Sequence, residues 1–171
     1  MNLHPVNPKE LTLDVWNVFP ARNALLTAGD RQNCNTMTVS WCQVGELWSL
    51  PVCTVYVRPE RHTYTFIDQG DYFTLSIFPE EHKKTTMVYC GTKSGRDVDK
   101  IKDCGLTVCY GTGDAPFFEE AELVLVCKKL YAQDLDLSCV VAGDVVLPYY
   151  DGTHGGWHRS YIGQIVEAYI K

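Results

Sequence analysis

The feature that most restricts this fold is a two-residue rhythm of apolar side chains that recurs along most of the chain. In 52–57, Cys53, Val55 and Val57 share one side while Thr54 and Tyr56 take the other. In 72–78, Phe73, Leu75 and Ile77 lie opposite Tyr72, Thr74 and Ser76. Alternation of this period belongs to strands. Residues 121–127 and 161–170 are also β-rich, and 23–28 and 37–42 are further strands of the same kind. Short helices are expected over 61–68, 80–90 and 97–104, because each is closed by a glycine (Gly70, Gly91, Gly105) suited to the position after a helix. Asn7-Pro8 opens a short helix running to Trp16. Many strands with few helices predict a mainly β protein, an antiparallel barrel with short helices rather than a doubly wound parallel sheet. No linker or repeat divides the 171 residues, so one domain spanning 1–171 is expected.

Charge and composition narrow the function. The net charge of −6 provides no basic stripe for a nucleic-acid backbone, although a local anion pocket stays compatible with it. No apolar run reaches the ~18–20 residues of a membrane span. The opening Met1-Asn2-Leu3-His4-Pro5 has no basic stretch followed by an apolar one, so no signal peptide is expected. A cytoplasmic protein with no membrane or nucleic-acid partner follows. The eight cysteines include no Cys-x-x-Cys pair and several sit in strand-like runs. Buried, reduced thiols are the expectation, ahead of a metal cluster or redox disulfide.

Three clusters carry candidate chemistry. Asn35, Thr36, Met37, Thr38, Val39, Ser40 and Trp41 alternate small hydroxylated with apolar residues, following Thr27-Ala-Gly-Asp30. Such a strand lets a planar ligand approach its backbone, yet on residue type alone the ordinary half-buried strand is the better reading. Next, Arg58-Pro-Glu-Arg61-His-Thr63 places two guanidiniums and a hydroxyl where a strand ends and a helix begins. That combination suits a phosphate, with a solvated basic turn as the alternative. The third, Cys90-Gly-Thr-Lys93-Ser94-Gly95-Arg-Asp97-Val-Asp-Lys100, mixes glycines, hydroxyls and cations in a loop. It lacks the frame of a Walker A loop and reads either as ligand-facing or as a solvent turn with Asp97 capping the next helix. Gly111-Thr-Gly113 lacks the third glycine of a dinucleotide loop. Asp151, His154 and His158 lie in a glycine-rich segment that would not hold them rigidly, so no metal site is expected.

Taken in order, these pieces resemble the flavin reductase family, in particular its flavoredoxin-like branch. The resemblance is carried by Leu26-Thr-Ala-Gly-Asp30, Asn35-Thr-Met-Thr-Val-Ser-Trp41, Gly45-x-Leu47-Trp48, Arg58-Pro-x-Arg61-x-Thr63, Phe73-Thr-Leu75 and Gly91-Thr-Lys-Ser-Gly-Arg-Asp-x-Asp-Lys100. Gly105-Leu-Thr107, Glu120-Ala121-x-Leu123 and His158-Arg-x-Tyr-Ile-Gly163 follow. It implies an FMN-binding split β-barrel, a homodimer with flavin near the subunit interface. Strand 35–41 would then hydrogen-bond the pyrimidine edge of the isoalloxazine, with Trp41 beside the ring. Arg58, Arg61 and Thr63 would meet the ribityl phosphate. Lys93, Ser94 and Gly95 would contact flavin or phosphate, Lys100 would add a cation, and His158 would complete the site. Gln164 after Gly163 departs from the Gly-Glu-Ile ending common in the family, which removes any role resting on a carboxylate there.

The resemblance implies hydride transfer to flavin N5, with negative charge gathering at N1 and O2, where backbone N–H groups or Lys93 would stabilise it. Such transfer needs stacking and an open face rather than an acid–base pair, and Asp30 and Asp97 read as turn and cap residues. Two activities follow: an NAD(P)H-dependent flavin reductase, or a flavoredoxin-like carrier that holds FMN tightly and exchanges electrons with a redox protein. A split barrel that has lost its flavin and serves as a binding module is the third reading.

Overall fold

The computed structural model describes residues 2–153 and 155–171. Ten strands form among the described residues: β1 His4–Val6, β2 Ala24–Gly29, β3 Cys34–Val39, β4 Cys42–Leu47, β5 Leu50–Val57, β6 Tyr72–Ile77, β7 Val108–Tyr110, β8 Pro116–Phe118, β9 Leu123–Asp134 and β10 Arg159–Ile170. Eight of them make one sheet in the order β3-β2-β6-β9-β10-β5-β4, with β1 also on β10. Every pairing among the described residues is antiparallel. The long β10 runs beside β9 along its whole length, and its other edge is divided between β5 and β1.

The alternation explains the curvature. Met37 and Val39 from one end of the strand order share a buried cluster with Cys53, Val55 and Val57 from the other end, together with Phe73, Leu75, Ile77 and Tyr161. Side chains from both ends meet only if the sheet curls into a barrel, as the two-residue rhythm predicts. A second core lies on the sheet's outer face, where Val124 and Val126 of β9 pack with Phe117 and Phe118 of the small β7–β8 hairpin and with Met87 and Cys90. This outer layer buries Thr74 of β6, whose hydroxyl donates to the Pro116 carbonyl at 2.6 Å.

Three helices place the site: α1 His62–Gln69, α2 Val88–Thr92 and α3 Lys100–Asp103. The expected helix over 80–90 is instead a 3₁₀ turn at Glu80–His82, a wide π turn at Lys83–Met87, and then α2. Gly91 therefore lies inside a helix that runs on to Thr92 rather than closing it. Gly70 closes α1 in extended backbone, whereas Gly105 takes the left-handed conformation (φ 63°) expected after α3. The cap of α3 is Asp99, whose carboxylate accepts from Lys102 N at 3.1 Å, and not Asp97. The predicted helix over 7–16 is a single 3₁₀ turn at Pro8–Glu10 capped by Asn7; a wide turn follows at Asn17–Arg22, around Pro20. Asp30 holds the β2–β3 turn by accepting from Gln32 N and Asn33 N.

At Gly163 the barrel closes on itself without room for a side chain. A Cβ there would stand 2.7 Å from the Phe73 ring and 2.8 Å from Cys127 Cβ, beside a register shift between Ile162 and Gly163. Gly163→Val is accordingly expected to destabilise the protein by about 1–3 kcal/mol through overpacking. Urea denaturation checks this as a lower midpoint with an unchanged slope.

Candidate flavin site

Strand β3 is the terminal strand of the sheet, paired with β2 on one edge only. Its other edge presents backbone donors and acceptors that need partners. One is met by Lys100, whose ammonium donates to the Thr36 carbonyl at 3.0 Å and to the Cys90 carbonyl at 2.9 Å. The residue is 4% exposed. The same ammonium thus fastens β3 to α2 and sets the start of α3 against both. Arg61, the residue before α1, adds a second tie by donating to the Gly91 carbonyl at 2.9 Å. Burial draws Lys100 and Arg61 below their ordinary values; an arginine stays charged regardless.

These ties leave two adjoining cavities along the free edge of β3. The larger, about 360 Å³, runs past Met37, Thr38, Val39, Ser40 and Trp41 and is flanked by Tyr56, Arg58, Arg61, Gly91, Tyr149 and His158. The smaller, about 110 Å³, is enclosed by Arg61, His62, Thr63, Thr92, Lys93, Ser94, Gly95 and Lys100, with Glu60 at its side. Met37 and Arg61 line both. One space is walled by a strand and aromatic rings, and its neighbour carries three cations against one carboxylate. That carboxylate is turned to the Gly156 N–H, 2.8 Å away.

The predicted residues divide between these spaces. Met37, Thr38, Val39, Ser40, Trp41, Arg58 and His158 line the larger, and Thr63, Lys93, Ser94, Gly95 and Lys100 the smaller. Asn35 and Thr36 line neither. Asn35 donates to the Thr63 hydroxyl at 2.7 Å and packs against Gly95, where a Cβ would stand 2.0 Å from its amide oxygen. It braces the cavity wall from behind, and only glycine at 95 allows that approach. The Thr36 side chain turns into the sheet, 3.0 Å from the Thr27 hydroxyl and donating to the Leu26 carbonyl. Arg58 does not reach the smaller cavity. Its guanidinium donates to the Tyr149 and Gly156 carbonyls and lies over the Tyr150 ring, tying down the segment before β10.

Comparison with known proteins gives the family and the fold. The family model described as flavin reductase like domain matches residues 16–171. The chain belongs to the flavin reductase-like family. No curated protein matches. Among solved structures, a flavoredoxin of Methanosarcina acetivorans is 22% identical with a TM-score of 0.67, over 95% of this chain and 75% of that one. The flavoredoxin of Desulfovibrio vulgaris is 22% identical at a TM-score of 0.68, covering 95% and 76%. A Streptomyces globisporus NADH:FAD oxidoreductase is 17% identical at 0.65, covering 92% and 80%. These likenesses give the fold, the split barrel of flavin reductase-like proteins.

The residues present fit the flavin that this family implies. His62, which the sequence reading passed over, lines the smaller cavity with a buried Nδ1 that has no hydrogen-bond partner among the described residues. A buried polar atom of this kind needs a ligand or solvent partner. Its position one residue before Thr63 was the only available signal. Tyr56 and Tyr149 on the larger cavity were equally missed, because one lies on β5, far from β3 in the strand order, and the other in a distant loop. Among the described residues no three His, Cys, Asp or Glu side chains stand together as a metal site. Asp151 accepts from Thr153 instead, and His154 lies outside the described residues.

His158 sets the polarity of the larger cavity. It is 8% exposed, its ring is 5.0 Å from that of Trp41, and its Nδ1 is 2.8 Å from the Tyr150 hydroxyl. Burial, helped by the Arg58 charge and opposed by Glu60, pushes it down to about 4. The imidazole is neutral at pH 7. A histidine so depressed contributes stability that is complete above the unfolded value near 6.5 and is lost as pH falls towards 4. Acidification from pH 7 to 4.5 is expected to remove about 2 kcal/mol through this group. Urea titrations at both pH values test this, with His158→Gln showing a correspondingly smaller loss.

Proposed function

We propose that this chain is an FMN-binding oxidoreductase of the NAD(P)H-dependent flavin reductase type, acting as a homodimer in the cytoplasm. The observation that carries the reading is the adjacency of a flat-walled cavity and a small cationic one, joined at Met37 and Arg61. When bound, FMN would supply the redox chemistry of the site. The chain holds and orients it. The free edge of β3 would offer backbone hydrogen bonds to the ring edge, and Trp41 on the wall of the larger cavity would flank the ring. Arg61, Lys93 and Lys100 supply positive charge to the phosphate, with the Thr63 and Ser94 hydroxyls and His62 as further partners. A space of about 110 Å³ suits a single phosphate group, which supports FMN.

The homodimer is supported by exposed apolar surface. Trp16 is 82% exposed at the rim of a cleft of about 680 Å³ formed with Val15, Phe19, Pro20, Trp41 and Leu135. A patch of this character marks an interaction surface. It adjoins the larger cavity through Ser40, Trp41 and Tyr56.

A second reading, the flavoredoxin-like carrier that exchanges electrons with a redox protein, is favoured by one feature. Trp41 meets both Tyr149 and His158, with ring centroids 5.4 and 5.0 Å apart, so aromatic rings crowd the side of the larger cavity. Anaerobic mixing with FMN and then NADH or NADPH separates the two. Nucleotide oxidation at catalytic rates supports the reductase, and a stable bound flavin without oxidation supports the carrier. A protein that stays colourless in excess FMN contradicts both.

Removal of a charged hydrogen-bond donor costs about 1.5–3 kcal/mol, so Arg61→Ala is expected to weaken FMN binding about 10–100-fold. Arg58→Ala, which loosens the segment before β10, should weaken it less than about tenfold. Flavin fluorescence quenching measures both, and equal losses would move the phosphate away from Arg61.

A further inference from the structure

Among the eight cysteines one pair combines thiol contact with access from solvent. Cys90 Sγ on α2 lies 3.9 Å from Cys104 Sγ at the end of α3. Cys90 is fully buried, while Cys104 is partly exposed. Cys53 and Cys127 also adjoin one another, but both are fully buried in the barrel core and closed to any oxidant. The Cys90–Cys104 contact is held from both sides. Tyr89 donates its hydroxyl to the Asp103 carboxylate at 2.6 Å, and Lys100 donates to the Cys90 carbonyl. The segment between the two cysteines, 91–103, carries Thr92, Lys93, Ser94, Gly95 and Lys100, five residues of the smaller cavity.

We propose that Cys90 and Cys104 form a reversible disulfide that fastens the loop bordering the smaller cavity. The sulfurs must close from 3.9 Å to about 2.05 Å, between residues whose chain neighbours Tyr89 and Asp103 are already hydrogen-bonded to each other. A low-molecular-weight disulfide serves as the oxidant. The Cys104 thiolate attacks one of its sulfurs, forms a mixed disulfide and releases one small thiol. Cys90 then gives up its proton and attacks the Cys104 sulfur, releasing the second. Two protein thiols are oxidised by two electrons, one small disulfide is reduced to two thiols, and the two protons end on those thiols. Burial raises both protein thiols, Cys90 to about 12, which makes exchange slow and leaves the first step to the more accessible Cys104. The crosslink stands on thiol geometry and holds whatever anion the cavity accepts.

The test treats the intact protein with millimolar oxidised glutathione, alkylates free thiols and digests without reduction. The expected product is a peptide pair joining Cys90 to Cys104, two hydrogens lighter, reversed by dithiothreitol and absent in Cys104→Ser. That variant is chosen because Cys104 is the less buried partner. Hydrogen exchange of the amides of 93–98 should slow at least threefold in the oxidised wild type and stay unchanged in treated Cys104→Ser. A persistent glutathione adduct on Cys104 without the crosslink overturns the proposal. So does a crosslink that leaves exchange of 93–98 unaltered.

Discussion

The site depends on one buried ammonium. Lys100 reaches from the start of α3 to two main-chain carbonyls, Thr36 on β3 and Cys90 on α2, and so joins three elements that no strand ladder connects. Burying a charge is costly unless it is hydrogen-bonded. The two carbonyls offset that cost only while β3, α2 and α3 keep their places. An ammonium has three donors, and the two protein carbonyls use two of them. The cation therefore acts both as a fastener of the scaffold and as a source of positive potential for whatever fills the smaller cavity.

Charge is distributed with the same economy. The chain carries −6 overall, yet Arg61, Lys93 and Lys100 converge on a space of about 110 Å³. The adjacent larger cavity has a different character. Its histidine is held neutral by burial, and Arg58 on its wall is occupied by the Tyr149 and Gly156 carbonyls. A phosphorylated ring matches the pair, with its charge directed to one end and its flat body to the other. The edge position of β3 completes the fit, since unpaired backbone groups of an edge strand are available to a planar ligand in a way that those of β6 or β9 are not.

Much of the barrel was legible in the chain because β5 and β6 alternate and the segments of β9 and β10 are rich in β-branched and aromatic residues. β4 was not, since Cys42–Leu47 lies half exposed at the other end of the strand order and its side chains have little core to face. β7 and β8 are only three residues each and carry no readable period. The region 80–90 reads as one helix but forms a 3₁₀ turn, a π turn and the start of α2, with Thr86 and Met87 buried in the π turn. In the site, residue types pointed to segments that line the two cavities without assigning their directions. Arg58 and Arg61 are equivalent in sequence, yet the last residue of β5 is Val57 and α1 begins at His62, so the intervening turn sends one guanidinium to the segment before β10 and the other into both cavities. Asn35 lies on β3 behind the lining residues Thr63 and Gly95, and Thr36 turns into the sheet.

The most direct measurement of the central claim compares the affinity of the purified protein for FMN and for riboflavin, which differ only by the phosphate. Three convergent cations predict FMN binding at least about 100-fold tighter, with the difference shrinking as salt rises. Equal affinity for the two flavins would place the phosphate outside the cationic cavity and contradict the account.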